Sequence, residues 1–202
     1  MLSSIMGVQR TATRARNAKR HAAPTKDAGF GEAIDRERMA ALAAFTARSL
    51  KTANPRPFGA AIVHTKSGEL LLRALNMVKQ ETDPSAHAEV RAIRLAAKKL
   101  KQISLAGYTL YTTCEPCPMC MSTALWARLD RVVYGATIED ASRHCNQIQI
   151  PATEVAARSD MTCVVDGPVL REECYGLFTD RRMPRAFRLW STRRKKTGHE
   201  QS

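Results

Sequence analysis

The run YTLYTTCEPCPMCMSTALWARLDRVVYGA, Tyr108 to Ala136, decides the architecture. Its opening YTLYTT is rich in β-branched and aromatic residues and predicts a strand, which the turn CEPCP ends. MCMSTALWARL then predicts a helix, and RVVYGA, Arg131 to Ala136, a further strand. Strands that alternate with helices at this spacing build a sheet with helices on its faces.

Working outward, the flanking segments agree. Upstream, DPSAHAEVRAIRLAAKKL predicts a helix that starts on Asp83, Pro84 and Ser85 and whose apolar face is Val90, Ile93, Leu95, Ala97 and Leu100. Before it, FGAAIVH and ELLLRALN flank the turn TKSG as an antiparallel hairpin. A first helix is expected from Glu32 to about Thr52, ended by NPRP. Downstream the pattern predicts a short helix over Ala152 to Arg158, a last strand MTCVVD, and a closing helix VLREECYGLF stopped before Pro184. The expected fold is a three-layer α/β/α sandwich around a mixed sheet of about five strands. Its domain is expected over residues 31–180, with a basic, disordered tail at 1–30 and a basic extension at 181–202.

Charge is distributed unevenly. The chain of 202 residues has a formal net charge of +13. Residues 1–26 hold six basic residues and no acid, and residues 181–202 hold eight basic residues against Glu200, so residues 27–180 balance to zero. Such ends read either as solvated tails or as arms that grip a polyanion through a salt-sensitive attraction. No apolar run approaches the length that spans a bilayer, and no membrane partner is expected. The cytoplasm is the expected compartment, with organelle targeting by the Arg-rich N-terminus as the alternative.

Six cysteines without a secretory signal argue for thiols or metal ligands rather than a disulfide framework. Cys145, Cys163 and Cys174 stand singly and read as small buried hydrophobes, while Cys114, Cys117 and Cys120 form a cluster. The pair Cys117 and Cys120 can hold one ion from a single turn, and His87 supplies a third donor of the kind zinc prefers, leaving one tetrahedral corner open. A helix N-terminus would help to keep both thiols deprotonated. Zinc lowers the pKa of coordinated water toward about 7. Glu89, two residues from His87 and not required as a ligand, is expected to carry a proton from water to a departing amine. Cys114 reads as the end of a strand.

These motifs resemble a known family. HAE at 87–89 with PCPMC at 116–120 is similar to the signature of the zinc nucleobase and nucleoside deaminases, H-x-E followed by P-C-x-x-C. The resemblance extends over about residues 32–180, including PFGA at Pro57 to Ala60. It implies an α/β/α fold, commonly a homodimer, with Zn2+ held by His87, Cys117 and Cys120 and Glu89 as general acid and base. It further implies that Asn76 hydrogen-bonds the substrate base, with Ala88 and Asn146 also on the substrate side.

Two branches share the motif. NMVKQETDPSAHAEVRAIR and TCEPCPMC resemble guanine and guanosine deaminases, which implies a small-molecule nucleobase or nucleoside substrate. The basic TDRRMPRAFRLWSTRRKK resembles the tRNA wobble adenosine deaminases, with Arg181, Arg182, Arg185 and Arg188 as phosphate contacts, although an NHRVE-like stretch before the last strand is absent. Where guanine deaminases carry acidic residues, ASRHCNQIQIP offers Asn146 and Gln147, amides that donate as well as accept. This implies a base with a different donor and acceptor edge, such as an aminopurine or pyrimidine. His144 reads as pocket-lining or exposed. From another class, a zinc-stabilised binding module without catalysis would need the same ligands but not Glu89.

Overall fold

The computed structural model describes residues 31–190; both basic tails, up to residue 30 and from 191, lie outside it. Five strands form one sheet in the order β2-β1-β3-β4-β5. β1 (Gly59–His64) pairs antiparallel with β2 (Leu70–Leu75) and with β3 (Tyr108–Cys114), whereas β4 (Arg131–Ala136) runs parallel to β3 and to β5 (Val164–Asp166). The sheet is mixed, as expected. Its last strand is shorter than MTCVVD suggested, because only Val164 to Asp166 find partners on β4.

Side chains alternate between two cores. Ala61, Val63, Tyr111 and Val133 face one side, where α1 (Glu32–Leu50), α7 (Arg171–Thr179) and α8 (Met183–Trp190) pack through Met39, Leu42, Phe178, Met183 and Phe187. Ala60, Ile62, Leu110 and Val132 face the other, against α3 (Ala88–Leu100), α4 (Pro118–Trp126) and α6 (Ala152–Ala157). This is the three-layer sandwich, read from a strand period of two.

Four helices depart from the sequence reading. α3 begins at Ala88 rather than near Asp83, because the Asp83 carboxylate accepts the Ser85 N–H and hydroxyl in its own turn and His87 takes the N-cap position. Two short helices, α2 (Val78–Glu81) and α5 (Ile138–Ser142), appear where no periodicity was legible; α5 is set by a capping box between Thr137 and Asp140. Pro184 does not end the fold. It stands in the first turn of α8, where its missing N–H costs nothing, and Met183, Ala186 and Phe187 bury one side of that helix. Met183, Ala186 and Phe187 thus pack on the core beyond residue 180.

Among the described residues no helix is long and apolar enough to cross a membrane. Polar ties hold the layers in register. The Arg131 guanidinium donates to both Asp35 oxygens at 2.9 and 2.7 Å and to Asp166 at 2.6 Å, and the Tyr111 hydroxyl donates to Asp35 at 2.6 Å. One buried carboxylate on α1 thus bonds to β3 and β4, and Arg131 carries the tie on to β5. Helix and sheet also approach closely at two glycines: a Cβ on Gly59 would lie 2.0 Å from Thr46 Oγ1, and one on Gly135 would lie 2.3 Å from Cys174 Sγ.

Two outcomes follow from this packing. Gly135→Ala forces α7 off β4 and should cost about 1–3 kcal/mol, lowering the thermal midpoint by several degrees. An unchanged melting curve would contradict the contact. Separately, Arg171 donates two parallel 2.8 Å bonds to buried Asp140, and this pairing holds the Asp140 carboxyl down to about 2. A lowered folded value stabilises the fold fully above the ordinary carboxylate range and is lost as pH falls through about 2. Asp140→Asn should therefore cost about 1–2 kcal/mol at pH 7, discounted for the half-exposed guanidinium, and progressively less between pH 4 and 2 in chemical denaturation. A pH-independent difference would refute the assignment.

Candidate active site

His87 and Cys117 are the N-caps of α3 and α4, both in extended backbone conformation, and Cys120 lies one turn into α4. Since both helices pack on the same face of the sheet, their starts meet beyond the end of β3. The His87 Nδ1 atom lies 3.7 Å from Cys117 Sγ and 3.5 Å from Cys120 Sγ, and the two sulfurs are 3.6 Å apart. These donor atoms form the one group of three or more potential ligands found among the described residues. Tetrahedral zinc, with bonds of about 2.3 Å to sulfur and about 2.05 Å to nitrogen, requires sulfur–sulfur separations of about 3.8 Å and sulfur–nitrogen separations of about 3.5 Å. The three spacings fit such an ion.

Electrostatics inside this trio are uneven without a metal. The neighbouring Cys120 thiol and then the His87 ring hold Cys117 down to about 4, against burial. Cys120 moves the other way, raised by its contact with Cys117 and by burial. Without a cation, the two thiols therefore shift in opposite directions. His87 is raised by its contact with Cys117. Glu89, in the first turn of α3, is 4% exposed, and burial lifts its carboxyl to about 7.

A cavity of about 600 Å³ opens above these groups, with His87, Glu89 and Cys117 in its lining. Asn76, at the end of β2, lines it as expected. Its Oδ1 accepts the Val78 N–H at 3.1 Å, which leaves the side-chain NH2 as the donor available to a ligand. Asn146 and Gln147 stand in the wall, beside Ile148 and Cys145, and the Gln147 amide donates to the Cys145 sulfur at 3.3 Å. Ala88 does not line the cavity. As the first residue of α3 it is fully buried in the core shared with the sheet and α4, because the helix turns its side chain inward.

Several lining residues were not anticipated. Phe58 packs edge-on against Phe178 at 5.1 Å and also faces the cavity. Cys114 is buried at the end of β3, and burial raises its thiol far above the usual range, consistent with a wall rather than a ligand. Cys145 is half-buried in the same wall, not simply core. Lys79 and Gln80 arrive on α2, whose shortness hid it. Glu115 is buried and accepts two backbone N–H groups; its position inside the cysteine cluster, between Cys114 and Pro116, was the available signal. His144 is neither pocket-lining nor free: its ring stacks on Phe178 and Phe187, and its Nε2 lies 3.2 Å from the Tyr175 hydroxyl.

The family profile described as the cytidine and deoxycytidylate deaminase zinc-binding region matches residues 33–136, from α1 through β4. The chain belongs to this family. Within the deaminases, it is 49% identical over 86 residues to a guanine deaminase of Bacillus subtilis (strain 168), covering 43% of this chain and 54% of that protein. It is 37% identical over 123 residues to a tRNA-specific adenosine deaminase of the same organism, covering 61% and 73%. The structure of a guanine deaminase from Nitrosomonas europaea superposes with a TM-score of 0.64 at 24% identity, covering 74% of this chain and 82% of that one, and shares its fold. The chain spans about half the length of the Bacillus guanine deaminase that it matches. A zinc-binding deaminase domain is thus shared with both branches that the sequence resembles, and its cofactor is zinc.

Metal analysis checks the trio directly. The purified protein should contain about one zinc per chain, and Cys117→Ala should reduce that to less than about a tenth, since two donors seldom retain zinc. Full retention would exclude Cys117 from the coordination shell.

Proposed function

We propose that the protein is a zinc-dependent hydrolytic deaminase that converts the exocyclic amine of a free nucleobase or nucleoside, of guanine type or a related aminopurine or pyrimidine, to a carbonyl with release of ammonia. The observation that carries this reading is the convergence of His87, Cys117 and Cys120 at zinc spacing beside buried Glu89, on the floor of a cavity large enough for a base.

In this reading His87 Nδ1 and the two sulfurs would hold the ion, which when bound would supply a Lewis acid that makes water a nucleophile near neutral pH. Glu89 receives a proton on its carboxyl group from the attacking water and returns it to the departing nitrogen, a transfer helped by burial that brings its affinity for protons near neutrality. Asn76 orients the ring through its NH2 group, Phe58 offers an aromatic face, and Asn146 and Gln147 meet the far edge. A second copy of the chain is the proposed partner: Trp126 and Ile150 leave an apolar patch beside α4 and α6.

A second reading, deamination of adenosine in tRNA, is favoured by the tRNA-specific relative and by α8, which leaves Arg185 and Arg188 exposed; Arg182 is paired with Asp180. In that reading these arginines contact phosphates. An ammonia-release assay on the zinc-loaded protein, across guanine, guanosine, adenine, adenosine, cytosine, cytidine and an anticodon stem-loop, separates the two. Turnover of a free base or nucleoside is expected; activity on the stem-loop alone would replace the first reading with the second. Glu89→Gln should keep its zinc and lose about 10²- to 10⁴-fold in turnover. Undiminished turnover would remove Glu89 from the chemistry.

A further inference from the structure

Glu115 lies between the last residue of β3 and the Pro116-Cys117 turn, is 9% exposed, and lines the cavity beside Cys114 and Cys117. One oxygen accepts the Ile138 N–H at 3.1 Å, and the other accepts the Ala152 N–H at 2.9 Å. These two amides have a common property. Ile138 is the first residue of α5 and Ala152 the first of α6, positions whose N–H has no partner inside its own helix. A single side chain therefore satisfies an orphan donor at the start of each helix.

What lies between those helix starts is the cavity wall. The stretch 138–152 carries Cys145, Asn146, Gln147 and Ile148 into the lining. Its other hydrogen bonds are local, such as Cys145 N–H to Ala141 O at 3.0 Å and Ile150 N–H to Ile148 O at 2.8 Å, or run to α7 through Arg171 and Tyr175. Among the described residues, the two side-chain bonds of Glu115 tie residues 138–152 to the turn bearing the metal ligands, and just ahead of that stretch Ala136 O accepts the Glu115 N–H at 2.7 Å and Thr137 O the Cys114 thiol at 3.8 Å.

We propose that Glu115 is the positioning residue that sets the substrate wall against the metal floor, pinning both ends of residues 138–152 to the turn that carries Cys117 and Cys120. Resting on the deaminase reading, this assigns Glu115 to substrate placement and not to proton transfer. Each of its oxygens is already engaged by a backbone N–H of the wall, and the Asn146 and Gln147 amides carried by that wall offer polar groups to the substrate from this side. Gln at 115 keeps one acceptor but turns an NH2 group toward the other backbone donor, which releases one end of the wall.

Amide hydrogen exchange on the zinc-loaded full chain, run beside steady-state ammonia release from the preferred base, tests this. In the wild-type protein the Ile138 and Ala152 amides should be protected by about 100-fold or more, although first-turn amides ordinarily exchange freely. Glu115→Gln should retain about one zinc, speed exchange across 138–152 by about tenfold with residues 88–100 unchanged, and raise KM about tenfold with kcat within about threefold. Unprotected wild-type amides would overturn the proposal even if the variant fails to fold. So would a variant that loses its zinc, or one whose kcat falls while KM holds. Absence of turnover on every base, with the exchange pattern intact, would sink the deaminase reading and leave the pinning of the wall standing.

Discussion

The structure depends on two helices that begin on side chains able to bind a metal. His87 and Cys117 occupy the N-cap positions of α3 and α4, so the same residues that start the helices also offer donor atoms. Because both helices lie on one face of the sheet and touch each other, the two starts cannot separate without opening the core around Ala88, Ala92, Met121 and Ala124. Packing of apolar residues thereby holds three polar atoms within 4.8 Å of one another. A preorganised donor set loses little freedom when it takes an ion, which favours tight binding.

That packing in turn relies on close approach. Gly59 admits Thr46 of α1 and Gly135 admits Cys174 of α7, so the helices of the opposite layer sit directly on β1 and β4. Asp35 then fixes the angle of α1 through Arg131 and Tyr111. Both tight contacts press on central strands. The edge strands β2 and β5 are left more lightly covered, and β2 leads into Asn76 at the cavity.

Strand positions and the chemical floor of the site were legible in the sequence for physical reasons. Buried strands such as YTLYTT and RVVYGA carry a dense apolar signal, and H-x-E with C-x-x-C is informative because metal geometry restricts which residues can sit at those spacings. The walls were not legible. Lys79, Gln80 and Ile148 reach the cavity on a four-residue helix and an irregular stretch, where no periodicity exists to read. The side chain of Ala88 is buried while those of its neighbours His87 and Glu89 line the cavity, because neighbouring residues on a helix point about 100° apart. Glu115 was visible as a letter, but its two backbone partners lie 23 and 37 residues away in the chain.

The proline at position 184 looked like a terminus and is instead the entrance to α8. His144 rests its ring on Phe187 of that helix, while the next residue, Cys145, faces the cavity. The last helix is thus a buttress behind the binding chamber, two side chains removed from whatever occupies it. A version of the protein trimmed at residue 180 would keep every ligand-bearing side chain named above and yet lose the backing of one side of the chamber.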